Sequence, residues 1–294
     1  MSMSPAAPGT VASARISRPH RLILAAVRFG LPLAILLALW LPYFLHFHID
    51  RSPVAPALAE QARSKPDSAV LKEIAELAFA VDLSVPEAQI VQTAEQALTG
   101  RVELPAYLNT PLQLAGFPAD IEVGPPTFRL AMNSLGMEDL LLKAYERTRD
   151  TRFLNKARDR VRAFARYEAA QRHSSDFLWN DHAVASRVAV VTRLWAYLRD
   201  DPTQPADDAQ TWLSLIARSG RLLAKPDQFT VRTNHGVMQN LALMQIGAAF
   251  PMLPEAASWC RLGLERLALQ LPFYVSSEGV VLEHSAEYHF FGTQ

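Results

Sequence analysis

Two short stretches hold most of the side chains able to do chemistry. One is Arg232-Thr233-Asn234-His235-Gly236; the other is Glu283-His284-Ser285-Ala286-Glu287-Tyr288-His289. Together they supply an amide, imidazoles, a phenol and carboxylates. That set can move a proton near neutral pH and neutralise a developing anion. Asn234 and His235 open an expected helix whose apolar positions are Val237, Leu241, Met244 and Ala248. The start of a helix offers unpaired N–H groups and a partial positive charge, and so holds an anion such as a carboxylate. The same spacing also fits a plain cap at Thr233 or Asn234 with His235 in the first surface turn. In the second stretch, six ionisable or hydroxyl side chains fill seven positions, too many for a simple solvated loop beside Val280-Val281-Leu282 and Phe290-Phe291. Taken alone, Tyr288 would equally suit a core tyrosine.

A third stretch runs from Asp176 to Arg187. Asp181 is the expected N-cap of a helix through Val184, Val188, Val191, Trp195 and Leu198. Trp179 offers a face for stacking a sugar, and His182 and Arg187 offer contacts to an anionic group. The bland alternative is a capped helix start with a buried tryptophan. Paired carboxylates could instead serve a glycosidase. Asp176, Asp181, Glu278 and Glu283 are available, but their spacing selects no pair.

The elements that must position these residues are helices. The pattern predicts them over 69–81, 86–98 (stopped by Gly100) and 127 to about 149. Apolar stripes follow at Leu154, Ala157, Val161 and Phe164, then at Ala209, Trp212, Ile216 and Leu223, and last at Cys260, Leu264, Leu267 and Leu271. The five prolines within 104–126 predict an irregular segment, and no stretch before Tyr274 alternates as a strand. Val280-Val281-Leu282 is a candidate short strand after a turn at 276–279. Helices joined by short turns are antiparallel neighbours, and a succession of them curls into a solenoid or a toroid.

Half of the 294 residues are hydrophobic, enough for a sizeable core. Basic and acidic residues balance at 29 each, but four arginines and no acid precede Asp50, so the rest of the chain is slightly acidic. That charge distribution excludes a nucleic-acid footprint. Cys260 is the only cysteine, which rules out an intrachain disulfide and a thiolate metal site, and it is expected as a buried structural thiol. No cofactor or metal is called for. Residues 1–21 are expected as a cytoplasmic tail. Residues 22–47, with no charge after Arg28, are expected as a transmembrane anchor, and 48–65 as a polar linker. The preceding arginines put the N-terminus inside and the bulk of the chain outside an inner membrane. A cleaved signal peptide, with small-residue sites around Ala57, is the alternative.

Three stretches taken in order carry a family resemblance: Trp179 to Arg187, Asn234 to Asn240, and Glu278-Gly279-Val280 with Glu283-His284-Ser285 and Tyr288-His289. The sequence is similar to the heparinase II/III family of polysaccharide lyases, which also takes in alginate lyases. The resemblance covers roughly residues 126–294. It implies an all-α, incomplete (α/α) toroid over 66–294, followed by a β-sandwich domain. That domain is expected to be missing, because the sequence stops six residues after Tyr288, and the chain then reads as a truncated lyase. The resemblance implies β-elimination on an acidic, uronate-containing polysaccharide. Asn234 would hydrogen-bond the uronate carboxylate, His235 would act as base or second carboxylate contact, and Tyr288 would protonate the leaving oxygen. Trp179, His182, Arg187, Arg232, Glu283, His284 and His289 complete the expected substrate contacts. The competing readings are a toroidal glycoside hydrolase and a non-catalytic, membrane-anchored glycan-binding module.

Overall fold

The computed structural model describes residues 30–77, 80–173, 177–202 and 205–280. The chain divides into two units, residues 1–46 and 47–294. Of the first unit, the helix α1 (Leu31–Phe47) is described. Its 17 residues rise only about 26 Å, short of the roughly 30 Å of a hydrocarbon core. No helix among the described residues is long and apolar enough to cross a membrane, so the expected anchor over 22–47 is not supported. Residues 22–29 of that expectation lie outside the described residues.

The second unit is helical almost throughout. Its chain order is α2 (Pro56–Ala62), α3 (Ser68–Glu76), α4 (Ile90–Thr99), a two-residue hairpin of β1 (Arg101–Val102) and β2 (Leu112–Gln113), then α5 (Ala119–Glu122), α6 (Pro126–Asn133), α7 (Gly136–Thr148), α8 (Thr151–Ala170), α9 (Asp181–Leu198), α10 (Ala206–Ala224), α11 (Asn234–Ala249) and α12 (Ala256–Tyr274). Chain neighbours α7 and α8 pack together, as do α11 and α12. Alternate helices also pack, α8 on α10 and α9 on α11. This is the all-helical, toroid-like arrangement that the hairpin succession predicts. Residues 48–65 do not stand apart as a linker. Val54 is buried with its N–H on Ser214 Oγ (3.0 Å), and Arg51 donates to the Glu168 and Gln171 carbonyls.

Several boundaries follow local chemistry. Gly100 ends α4 in the left-handed region (φ 84°), as its sequence position predicts. The helix expected over 127–149 is broken in two, because Leu135 takes φ 65° between α6 and α7. The irregular 104–126 segment contains a strand that the sequence does not announce: β2 pairs antiparallel with β1, Val102 opposite Leu112. Two residues are too few to show an alternation. Asp120 anchors this segment. Its carboxylate accepts the N–H groups of Ala115 and Gly116, and the Arg160 guanidinium bridges it to Glu138 at 2.8 Å on both sides. All three charged residues are buried, so their mutual pairing is what makes the burial tolerable.

α9 is buried on nearly all sides, which suits a helix apolar all round. Its expected stripe lies in the core, as do those of α8 and α10. α11 and α12 behave differently. The expected apolar positions Leu241 and Ala248 on α11, and Leu264 and Leu271 on α12, are exposed. The packed faces carry Gly236, Gln239 and Asn240 on one helix and Gly263, Arg266 and Gln270 on the other. At its glycines the α11–α12 contact is tight. A Cβ on Gly263 would stand 2.8 Å from the Asn240 carbonyl oxygen, and one on Gly247 would stand 2.8 Å from Cys260 Cβ. Two buried amides meet there, Asn240 Nδ2 donating to Gln270 Oε1 (3.1 Å). Cys260 is consequently half-buried and free, not fully buried as expected.

Candidate functional site

The starts of α9 and α11 meet. Asn180, not Asp181, caps α9: its Oδ1 accepts the N–H groups of His182 (3.0 Å) and Ala183 (3.3 Å). This frees the Asp181 carboxylate to point across to α11. There, Asp181 Oδ2 accepts from Gln239 Nε2 (3.0 Å) and Thr230 Oγ1 (3.4 Å), and lies 3.4 Å from His235 Nδ1. The rings of His182 and His235 pack with centroids 4.5 Å apart. Two helix N-termini, two imidazoles and one carboxylate therefore share one locality. The positive ends of both helix dipoles face the same place, an environment that favours a bound anion.

The electrostatics separate the two histidines. Burial, reinforced by the neighbouring His235, pushes the His182 imidazole down to about 4 against the pull of Asp181. His182 is thus neutral at pH 7. Burial raises the Asp181 carboxyl, but the hydrogen bond and charge of His235, with the His182 N–H, outweigh it and hold the group below the usual carboxylate range. Asp181 is an anion here, unsuited to act as a general acid.

The start of α11 is itself tightly held. Thr233 takes the N-cap position in extended conformation, but its side chain makes no capping hydrogen bond. Its carbonyl accepts Gln270 Nε2 from α12 instead (2.7 Å). Gly236 is required here: a Cβ would stand 2.1 Å from the Thr230 carbonyl oxygen. Gln239, fully buried, donates to the Gln228 carbonyl (2.6 Å) and accepts the Thr230 N–H (3.3 Å). These contacts fix where Asn234 and His235, both half-buried, sit.

Two expected substrate contacts are placed elsewhere. Trp179 is buried, with Arg51 4.0 Å above its ring, Phe47 beside it and its Nε1–H on Glu168 (3.0 Å), so it presents no face to a sugar. Arg187 is also buried and donates to the Leu178 and Ala183 carbonyls. Burial lowers its guanidinium to about 10, against the attraction of Glu168. Both residues anchor the turn that delivers Asn180, Asp181 and His182, and neither reaches a ligand. Arg232 is exposed, 5.4 Å from the Phe273 ring. Tyr288, Glu283, His284 and His289 lie outside the described residues.

Gln239 and Asn240 stand within a stretch singled out by sequence, but their positioning role was not legible there. Gln270 and Thr230 carry no sequence signal, because they reach the site only through packing.

The heparinase II/III N-terminus family matches residues 138–293, more than half of the chain, and the chain belongs to that family. No curated protein matches it. Among solved structures, the fold is similar to heparan sulfate lyase HepC from Pedobacter heparinus, with a TM-score of 0.60 at 16% identity over 80% of this chain. A mutant of the same lyase gives 0.59, and the methylated heparinase III BT4657 gene product gives 0.51. The chain spans 36% of the length of the first two and 40% of the third. At that identity the likeness concerns the fold.

Proposed function

We propose that this chain forms the helical part of a polysaccharide lyase that cleaves a uronate-containing acidic polymer by β-elimination. The observation carrying this reading is the convergence of the α9 and α11 N-termini, which brings His235, next to Asn234 in the first turn of α11, against Asp181 and His182. Family membership supports it.

β-Elimination removes the proton at C5 of a uronate and expels the oxygen at C4. The C5 proton is too weak an acid unless the charge growing on the carboxylate is stabilised. In this reading, Asn234 donates an amide hydrogen bond to that carboxylate, at a helix start already favourable to an anion. His235 supplies the basic nitrogen or a second carboxylate contact. Tyr288 returns a proton to the departing oxygen, and Glu283, His284 and His289 serve as substrate contacts. A phenol titrates near 10, so its use as a base requires nearby positive charge. Neutral His182 and exposed Arg232 border the carboxylate subsite. A hydrolase reading needs a protonated carboxylic acid, which the anionic Asp181 does not provide.

The test is a panel of heparan sulfate, alginate, hyaluronan and bacterial exopolysaccharides, followed by ultraviolet absorbance of the unsaturated uronate product. Absorbance gain is expected with at least one polymer, and Tyr288→Phe and Asn234→Ala should each lower kcat by about 100-fold or more. Reducing ends appearing without absorbance would instead establish hydrolysis. Full activity in Tyr288→Phe would remove that residue from the mechanism.

A further inference from the structure

We propose that Asp181 is the positioning residue of this site: its carboxylate holds the Nδ1–H of His235, so that Nε2 is the nitrogen the imidazole presents to substrate. Presentation to a uronate rests on the lyase reading; the Asp181–His235 pairing does not.

Asp181 and His235 are far apart in sequence, yet Oδ2 and Nδ1 stand 3.4 Å apart. The carboxylate is immobilised from both helices. Oδ1 accepts the His182 N–H at 2.9 Å, while Oδ2 accepts Gln239 Nε2 and Thr230 Oγ1. Gln239 is in turn clamped to the Gln228 carbonyl and the Thr230 N–H. Asp181 therefore cannot swing away without breaking a buried amide network. The acid lies inside, its side chain 12% exposed, and the imidazole reaches outward at 39%. A carboxylate that accepts one ring N–H sets the tautomer, fixes the ring plane and stabilises the imidazolium formed when the other nitrogen takes a proton. His182 does not compete for this role. Its Nε2 is buried without a hydrogen-bond partner among the described residues, and the ring stays neutral. The pair thus divides into a packed, uncharged histidine and a carboxylate-backed one.

A carboxylate that merely tied α9 to α11 would leave the imidazole tautomer undefined. The test is therefore spectroscopic. The full chain is labelled with 15N-histidine, and two-bond 15N–1H correlations are recorded at pH 8, with His235→Gln identifying the His235 signals among the eight histidines. The Nδ1-protonated form of His235 is expected to dominate in the parent and to become a mixture in Asp181→Asn. On any uronate polymer the parent cleaves, Asp181→Asn should lower kcat about 100-fold with KM changed less than about threefold. An Nε2-protonated His235 in the parent overturns the proposal, as does an unchanged tautomer in Asp181→Asn. Should that variant fail to fold, the parent spectrum alone decides. If the parent cleaves no uronate polymer, the lyase reading fails while the spectrum still decides the pairing.

Discussion

Gly236→Ala adds one methyl group at the point where the site is tightest. The new Cβ would stand 2.1 Å from the Thr230 carbonyl oxygen and 2.7 Å from Gln270 Nε2. Reaching ordinary contact distance requires a shift of about 1 Å or more. The carbonyl is backbone, and Thr230 is held by Gln239 Oε1 at its N–H, so it cannot rotate aside as a side-chain tip would. Displacing Gln270 also breaks its hydrogen bond to the Thr233 carbonyl, leaving a buried amide unpaired. Overpacking costs about 1–3 kcal/mol and the lost hydrogen bond about 1–3 kcal/mol, while the better helix propensity of alanine returns about 1 kcal/mol. The net destabilisation is about 1–5 kcal/mol. For a chain of 294 residues, that lowers Tm by about 2–8 °C. Thermal unfolding followed by circular dichroism measures it directly. A Tm within about 1 °C of the parent, or above it, would refute the claim that Gly236 is required by close approach.

Two further outcomes test the electrostatics. His182 titrates lower folded than unfolded, so the unfolded chain binds the extra proton; the folded state keeps its full margin above pH 6.5 and loses up to about 3 kcal/mol as pH falls through 4. Urea midpoints measured from pH 7 to 4 should fall less steeply in His182→Gln, and identical slopes would contradict the neutral assignment. Arg218→Met removes the guanidinium whose Nε lies 2.6 Å from the buried Glu168 carboxylate. Stranding that charge should cost about 3–5 kcal/mol in urea unfolding, and a loss below about 1 kcal/mol would show that Arg187 and Trp179 suffice to hold it.

The Glu168 cluster also shows why some sequence expectations took the wrong form. Trp179 and Arg187 belong to a stretch that points to the site, and the site is indeed beside them. Their chemistry suggested stacking and anion binding. Packing put both in the core, where they hold the turn before α9. A residue type gives its possible interactions; whether it faces ligand or core depends on what covers it. Arg51, from a segment that reads as a polar linker, supplies that cover.

The amino-acid sequence alone determined the all-helical class, the core stripes of α8, α9 and α10, the stop at Gly100 and the order of the three stretches that carry the family. These are local or periodic properties, written in residue types at short range. Tertiary structure alone decided the rest. The α11–α12 interface sets Gly263 against Met244 and Leu243 and joins Asn240 to Gln270, while Leu241 and Ala248 of the stripe that periodicity selects are left exposed. Asn180 took the cap expected of Asp181, since the better use of the Asp181 carboxylate lies across the gap to Gln239, Thr230 and His235. That partnership joins residues about fifty positions apart in the chain. No local pattern records it, because α10 separates the two helices in the sequence and only tertiary packing brings their starts together.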